Sequence, residues 1–149
     1  MKIAFLFLTV AGIFHEKYWA DFLKGYETHY SMYIHSKNGV PENSLFKKYE
    51  LNTTVPTSWA HTLKAELLLL KIALSDPENQ MFILVSESTL PLQSFQHIYD
   101  TLEKTKKSCF VYMRNPHQDP DDICYASRNL HEISEEHRYK NTQWIGLVA

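Results

Sequence analysis

Largely apolar runs alternate with stretches of helical spacing along most of the chain. A short run that is apolar at nearly every position is typical of a strand covered on both faces. Such runs predict strands at Ile3–Leu8, Tyr30–His35, Met81–Val85, Cys109–Met113 and Thr142–Val148. Apolar residues three and four positions apart predict helices at His15–Glu27, Thr57–Leu74 and Ser94–Lys106. The alternation indicates a single α/β domain over residues 1–149, in which right-handed crossovers join a mostly parallel sheet flanked by helices.

The second predicted helix has the densest apolar pattern. One face carries a leucine at almost every turn, and further apolar residues fill the other faces, so we expect this to be the most buried helix. The first set is Leu63, Leu67, Leu70 and Leu74, and the second is Leu68, Leu69 and Ile72. Thr57 or Ser58 is the predicted N-cap. Before this helix the periodicity is weak, and only Thr53–Val55 has a composition that suits a short strand.

The stretch Met81–Leu92 is the most informative for function. Its apolar strand ends abruptly in small polar residues, and Pro91 then prevents further pairing because proline has no N–H to give a sheet. Open α/β sheets bind ligands at the carboxyl ends of their strands. Glu87 is the one carboxylate at a strand end there, and it suits either a general base or hydroxyl acceptor, or a cap of the local turn. Ser88 could likewise donate to a ligand or satisfy the turn.

Composition excludes several classes of protein. The chain is 44% hydrophobic and 21% charged, which is typical of an ordinary globular domain. Its net charge of −2 argues against nonspecific nucleic-acid binding, which requires a basic field. Two cysteines, Cys109 and Cys124, form neither a disulfide framework nor a zinc site, and their pairing is left open.

The N-terminal run, MKIAFLFLTVAG, is short, and Ile13 and Phe14 follow it at once. It therefore predicts a buried first strand rather than a signal peptide. No apolar run approaches the roughly 20 residues of a membrane span. The residues leave the compartment open.

Several familiar motifs are absent. The glycines are isolated, so no phosphate-binding loop is present, and the histidines lack metal-ligand spacing. Asp119–Asp122 contains a literal Asp-x-Asp pair, but it lies in a proline-bounded loop and is interpreted as a solvated turn. Gln143 and Trp144, which begin the last strand, suit either a core position or an aromatic and amide surface for a sugar.

Four stretches together resemble the core-2/I-branching β-1,6-N-acetylglucosaminyltransferase family (glycosyltransferase family 14), especially its plant and protist branch. They match in order and spacing as well as in residues, and the Ser-Glu-Ser-x-x-Pro-Leu step is fairly specific. The stretches are Lys2–Thr9, Tyr30–Ser36, Ala65–Pro77 leading into Phe82–Pro91, and Arg138–Trp144. The resemblance covers nearly all of the chain.

The resemblance implies a GT-A-like (Rossmann-like) fold that binds a UDP-sugar and transfers the sugar, with inversion, to a hydroxyl of a glycan or glycoprotein. It implies no metal and no other cofactor. Carried over by position, the nucleotide-binding residues are Thr9, Val10, Ser36 and Thr57. Glu87, Ser88, Gln143 and Trp144 would line the sugar and acceptor cleft. Animal members have Asp where Ser36 stands and Tyr near Thr57.

In the family, the catalytic carboxylate and the basic residues that hold the diphosphate follow the Gln-Trp strand. We therefore expect them beyond Ala149, and Glu87 is the candidate catalytic carboxylate within the chain. Two functions stay open: a glycosyltransferase, and a non-catalytic remnant that binds nucleotide sugars or other proteins. A sheet that is incomplete at its C-terminus would also favour self-association. Family members are Golgi or secretory-pathway membrane proteins.

Overall fold

The computed structural model describes residues 1–59, 61–112 and 141–148. The strands are β1 (Lys2–Thr9), β2 (Tyr30–Ser36), β3 (Asn79–Ser86), β4 (Cys109–Tyr112) and β5 (Asn141–Val148). The helices are α1 (Glu16–Leu23), α2 (Leu63–Ala73) and α3 (Phe95–Thr105), and a single 3₁₀ turn covers Lys47–Tyr49. All five predicted strands and three predicted helices are present. The weaker expectation of a strand at Thr53–Val55 was wrong.

The five strands form one sheet in the order β2-β1-β3-β5-β4. β1 pairs in parallel with both β2 and β3, whereas β5 runs antiparallel to β3 and to β4. Four strands therefore share one direction, and the predicted α/β fold with a mostly parallel sheet is confirmed and is consistent with a GT-A-like fold. Simple βα alternation did not predict the reversal of β5. An apolar run is equally well buried in either direction, so its pattern does not encode polarity.

β1 is the centre of the core because residues 3–8 are buried on both faces of the sheet. On one face, Phe5 and Phe7 pack edge-to-face against Trp19 of α1, with ring centroids 5.4 and 4.8 Å apart. Phe95 of α3 belongs to the same cluster. On the other face, Ala4, Leu6 and Leu8 pack with the buried residues of α2. The sheet is thus flanked by α1 and α3 on one side and by α2 on the other.

Two helix predictions differ from the structure at their ends. α1 ends at Leu23, four residues earlier than predicted, because Gly25 adopts a φ of +86° and the chain turns back on itself. Phe14 and Tyr18, assigned to its buried stripe, are each 65% exposed.

By contrast, the predicted cap of α3 is confirmed, since the Ser94 hydroxyl accepts a hydrogen bond from the His97 N–H at 3.2 Å.

α2 begins at Leu63, with Thr62 as its N-cap, so the predicted caps Thr57 and Ser58 were wrong. A turn closed by the His61 N–H and the Ser58 carbonyl oxygen takes the place of the predicted first helical residues.

The leucine-rich face of α2 does not face the sheet. Leu63, Leu67 and Leu74 are 65, 55 and 56% exposed. The residues buried against the sheet are Ala65, Leu69 and Ala73, each with 0% exposure. Small side chains let a helix approach a sheet closely. The sequence prediction assigned the leucines to the buried face and therefore missed the role of the two alanines. α2 nevertheless buries three residues, more than the described parts of α1 or α3. Within the described ranges, no helix combines the length and apolar content needed to cross a membrane.

The orientation of α2 predicts opposite outcomes for two neighbouring leucines. Leu69→Ala should lower the free energy of unfolding by about 2–5 kcal/mol, because it leaves a cavity in the core. Leu67→Ala, on the exposed face, should change it by no more than about 0.5 kcal/mol. Urea unfolding followed by circular dichroism measures both values. A larger loss in Leu67→Ala than in Leu69→Ala would show that the helix is rotated.

Candidate functional site at the carboxyl ends of the strands

The carboxyl ends of β1, β2 and β3 meet at one edge of the sheet. In the parallel registers, Thr9 lies beside Ser36, and Leu8 lies beside Ser86. The loops that follow these strands therefore start at the same level. The structure thus brings together the three loops to which Thr9, Val10, Ser36, Glu87 and Ser88 were assigned. We call this region the strand-end edge.

Glu87 joins two of these loops. Its Oε2 accepts a hydrogen bond from the Val10 N–H at 2.6 Å, and its carbonyl oxygen accepts one from the Phe14 N–H at 3.0 Å. The partners are more than 70 residues apart in sequence, so the carboxylate acts as a link between loops and not as a cap of its own turn. No described residue donates to Oε1 of Glu87. That oxygen leaves the half-buried carboxylate one acceptor that a hydroxyl could use.

The turn after β3 is closed by reciprocal hydrogen bonds between Ser86 and Thr89. The Thr89 N–H donates to the Ser86 carbonyl oxygen at 3.1 Å, and the Ser86 N–H donates to the Thr89 hydroxyl at 3.1 Å. The indole N–H of buried Trp19 donates to the Thr89 carbonyl oxygen at 2.9 Å. Ser88 is exposed at the tip, with its hydroxyl 3.3 Å from that of Ser86. The hydrophobic core thus fixes the position of Glu87, and Ser88 faces solvent.

Thr9 and Ser36 are only 5 and 1% exposed. The Thr9 hydroxyl accepts from the Gly12 N–H at 3.2 Å, and the Ser36 hydroxyl donates to the Val10 carbonyl oxygen at 3.1 Å. Both side chains therefore order the loops around them. Of Thr9, Val10 and Ser36, Val10 is the residue exposed to solvent, at 48%.

His35 is a component of the site that sequence reasoning missed. It is fully buried at the end of β2, and its Nε2 accepts a hydrogen bond from the Val55 N–H at 3.0 Å. This bond brings the segment that contains half-buried Thr57 to the end of β2. The signal in the sequence was a polar residue at an inward position of an otherwise buried strand, next to Ser36.

From Gly146 back to its first residue, β5 runs in the direction of the strand-end edge. β5 pairs with β3 through Ile83 with Gly146 and Met81 with Val148. This pairing spans Met81–Ile83, and because β5 is antiparallel, its residues before Gly146, which include Gln143 and Trp144, continue in the direction of the carboxyl end of β3. A parallel β5 would instead have directed its first residues toward the opposite edge of the sheet.

Other features lie away from this edge. A shallow groove of about 430 Å³ runs beside β2 and the 3₁₀ turn, and it includes none of the assigned site residues. We therefore assign the candidate site to the convergent loops and not to this open groove. Among the described residues, no three His, Cys, Asp or Glu side chains form a group that could hold a metal ion. The Asp119–Asp122 stretch lies outside them, and metal independence stays a prediction.

A model of the Core-2/I-branching enzyme family matches residues 3–147, from β1 into β5. The chain belongs to this family. A curated relative is glycosyltransferase BC10 of Oryza sativa subsp. japonica, which is 31% identical over 156 aligned residues. The alignment covers 99% of this chain and 38% of the relative, so this Core-2/I-branching chain spans well under half the length of that protein. No solved structure gives a significant match.

The loop link predicts a local change in amide exchange. Glu87→Ala should speed hydrogen exchange at the Val10 amide roughly fivefold, as expected for the loss of a hydrogen bond worth about 1 kcal/mol. Ser88→Ala is the matched control, because its exposed hydroxyl contacts only that of Ser86 among the described residues. Exchange measured by NMR under native conditions tests this. Unchanged exchange at Val10 in Glu87→Ala would contradict the link.

Proposed function

We propose that this chain binds a UDP-sugar at the strand-end edge, as the nucleotide-sugar portion of a glycosyltransferase that modifies a hydroxyl of a glycan or glycoprotein. The observation that carries the proposal is the convergence of three hydrogen-bonded loops at the carboxyl ends of β1, β2 and β3. Open α/β sheets bind nucleotides in this position. Membership of the family and the name of the rice relative, a glycosyltransferase, support the class of reaction.

The loops are joined to one another by hydrogen bonds among their own residues. The Val10 carbonyl oxygen accepts from both the Asn38 N–H at 2.8 Å and the Ser36 hydroxyl, while the Val10 N–H is held by Glu87. A preformed site avoids the entropic cost of ordering loops on binding. Because these backbone groups are occupied, the ligand would meet the exposed side chain of Val10 and the segment around Thr57.

In the proposed reaction, a hydroxyl of the acceptor attacks the anomeric carbon, a carboxylate takes its proton, and UDP leaves from the opposite face. No metal is required in this scheme. Within the described residues, Glu87 would position an acceptor or donor hydroxyl through Oε1. Gln143 and Trp144 would lie beside it on β5. The carboxylate that takes the proton is expected in sequence that follows the Gln-Trp strand in the family.

A second candidate is binding of the nucleotide sugar without transfer. It is favoured by one observation: Glu87, the carboxylate at the described strand ends, already accepts the Val10 N–H through Oε2. Transfer of sugar to an acceptor by the 149-residue chain would exclude this candidate. Self-association also stays a prediction, which light scattering at high protein concentration tests.

A negative charge at position 10 should weaken binding of a nucleotide sugar. Val10→Asp places a second carboxylate near that of Glu87, where both would repel a diphosphate, and should weaken binding of UDP-N-acetylglucosamine by about tenfold or more, equivalent to about 1.4 kcal/mol. Leu74→Asp is the control. It adds the same charge at a residue that is similarly exposed, at the end of α2 beside the start of β3.

Isothermal titration calorimetry measures both affinities, with UDP and ADP titrated for comparison. We expect wild type and Leu74→Asp to bind alike, with uridine nucleotides preferred. Absence of binding to any UDP-sugar by folded wild-type protein, or equal losses in the two variants, would contradict the proposal.

A further inference from the structure

One asparagine of the chain lies in the acceptor pattern for N-linked glycosylation. The pattern is Asn-x-Ser or Asn-x-Thr, in which the middle residue is not proline. Asn52, Thr53 and Thr54 match it, and no other asparagine in the sequence has a serine or threonine two positions later. A pattern of three residues often arises by chance, so its meaning depends on where the fold places it.

The fold presents residues 52–54 as an exposed segment that is held at both ends. Before it, the Leu51 N–H donates to the Ile34 carbonyl oxygen at 2.9 Å, and after it the Val55 N–H donates to Nε2 of His35 at 3.0 Å. Leu51 and Val55 also pack against the core cluster between α2 and the sheet. Residues 52–54, by contrast, are all exposed and lie outside any helix or strand. The segment therefore projects into solvent between two fixed points.

The side chains that the modification requires are not used by the fold. Neither the Asn52 amide nor the Thr54 hydroxyl forms a hydrogen bond to another residue that the structure describes. Asn79 shows the contrast, since its amide is buried and donates to the Ala73 carbonyl oxygen at 2.8 Å. N-linked glycans are bulky and are carried on the surface. A glycan on Asn52 would thus displace no contact of the described fold.

Asn52 also lines the groove beside β2, together with Tyr33, Tyr49 and Ile72. β2 is the outermost strand on this side of the sheet, because it pairs with β1 alone among the described strands. An outer strand offers backbone groups with which another chain can pair, and natural proteins cover or blunt such edges. A glycan that starts at Asn52 is attached where it would cover this edge.

We propose that Asn52 carries an N-linked glycan that covers the groove and the outer edge of β2. The donor is an oligosaccharide linked to a lipid diphosphate. The side-chain nitrogen of Asn52 bonds to the first sugar's anomeric carbon as the carbon–oxygen bond to the diphosphate breaks. The lipid diphosphate leaves, and the amide proton passes to the transferring enzyme. This modification occurs in the secretory lumen, where glycoproteins are assembled, so the inference rests on the proposed function for the presence of the chain there.

Thr53 and Thr54 provide a matched pair of variants, because both are exposed threonines of the same segment. Thr54→Ala removes the hydroxyl that the pattern requires, whereas Thr53→Ala leaves an intact Asn-Ala-Thr. The full chain is expressed behind a cleavable secretion signal in a eukaryotic cell. Its gel mobility is compared before and after treatment with an N-glycan amidase, and mass spectrometry of the peptide that contains Asn52 locates the modification.

We expect a glycan on Asn52 in wild type and in Thr53→Ala, and its loss in Thr54→Ala. An unmodified Asn52 in wild type, or equal modification in Thr54→Ala, would overturn the proposal. Peptide mapping of the protein from its natural source decides without any variant, because an unmodified Asn52 peptide there would overturn it as well.

Oxidative footprinting measures the coverage of the groove. The glycosylated wild type is compared with the same protein after an endoglycosidase has trimmed the glycan to one N-acetylglucosamine. Labelling of Tyr33 and Tyr49 should rise by at least about twofold on trimming, because a bulky glycan excludes the reagent. Tyr18, which is exposed on α1 at the other face of the sheet, is the internal control and should not change. Equal labelling of Tyr33 and Tyr49 in the two forms would overturn the coverage.

Nucleotide binding is measured separately by calorimetry with UDP-N-acetylglucosamine, on wild type and Thr54→Ala from the same cells. The groove includes none of the assigned site residues, so we expect equal affinities in the two proteins. A glycan on Asn52 without any binding would refute the proposed function and leave the modification site standing. Binding by a wild type that carries no glycan would refute the modification site and leave the proposed function standing.

Discussion

The parallel pairing of β1 with both β2 and β3 is the constraint on which the candidate site depends. β1 is buried on both faces, and its register with each neighbour fixes where all three strands end. Loops that are far apart in sequence consequently begin side by side. The hydrogen bond from the Val10 N–H to Glu87 then joins the first loop to the third. The core thus determines the geometry of the edge before any ligand contributes.

β5 is the strand that reverses direction within the sheet. It lies antiparallel between β3 and β4, so it covers what would otherwise be an exposed edge of β3. The same reversal directs the first half of β5, to which Gln143 and Trp144 belong, toward the carboxyl ends of the parallel strands. The reversed direction of β5 therefore bears on both the edge of the sheet and the proposed site. The family match also extends into this strand.

The sequence was sufficient to predict the helices and strands, but it was not sufficient to predict how they pair and pack with one another. Apolar runs predicted the five strands of the described residues, and the clearest is β1, because burial on both faces leaves little choice of residue. The direction of β5 and the buried face of α2 were not predictable in this way, since they depend on pairing across the sheet and on the small size of Ala65 and Ala73. Resemblance placed Glu87 at the site, but its partner at Val10 is 77 positions away and only the fold identifies it. His35 was missed for the same reason.

The central claim is that the strand-end edge binds a nucleotide sugar, and an NMR titration tests it most directly. Amide spectra of the ¹⁵N-labelled chain would be recorded as UDP-N-acetylglucosamine is added. The account predicts that the largest shifts fall together on Val10, Ser36, Thr57 and Glu87. Shifts confined to residues 48–53 beside the outer groove of β2, or no shifts at saturating ligand, would contradict it.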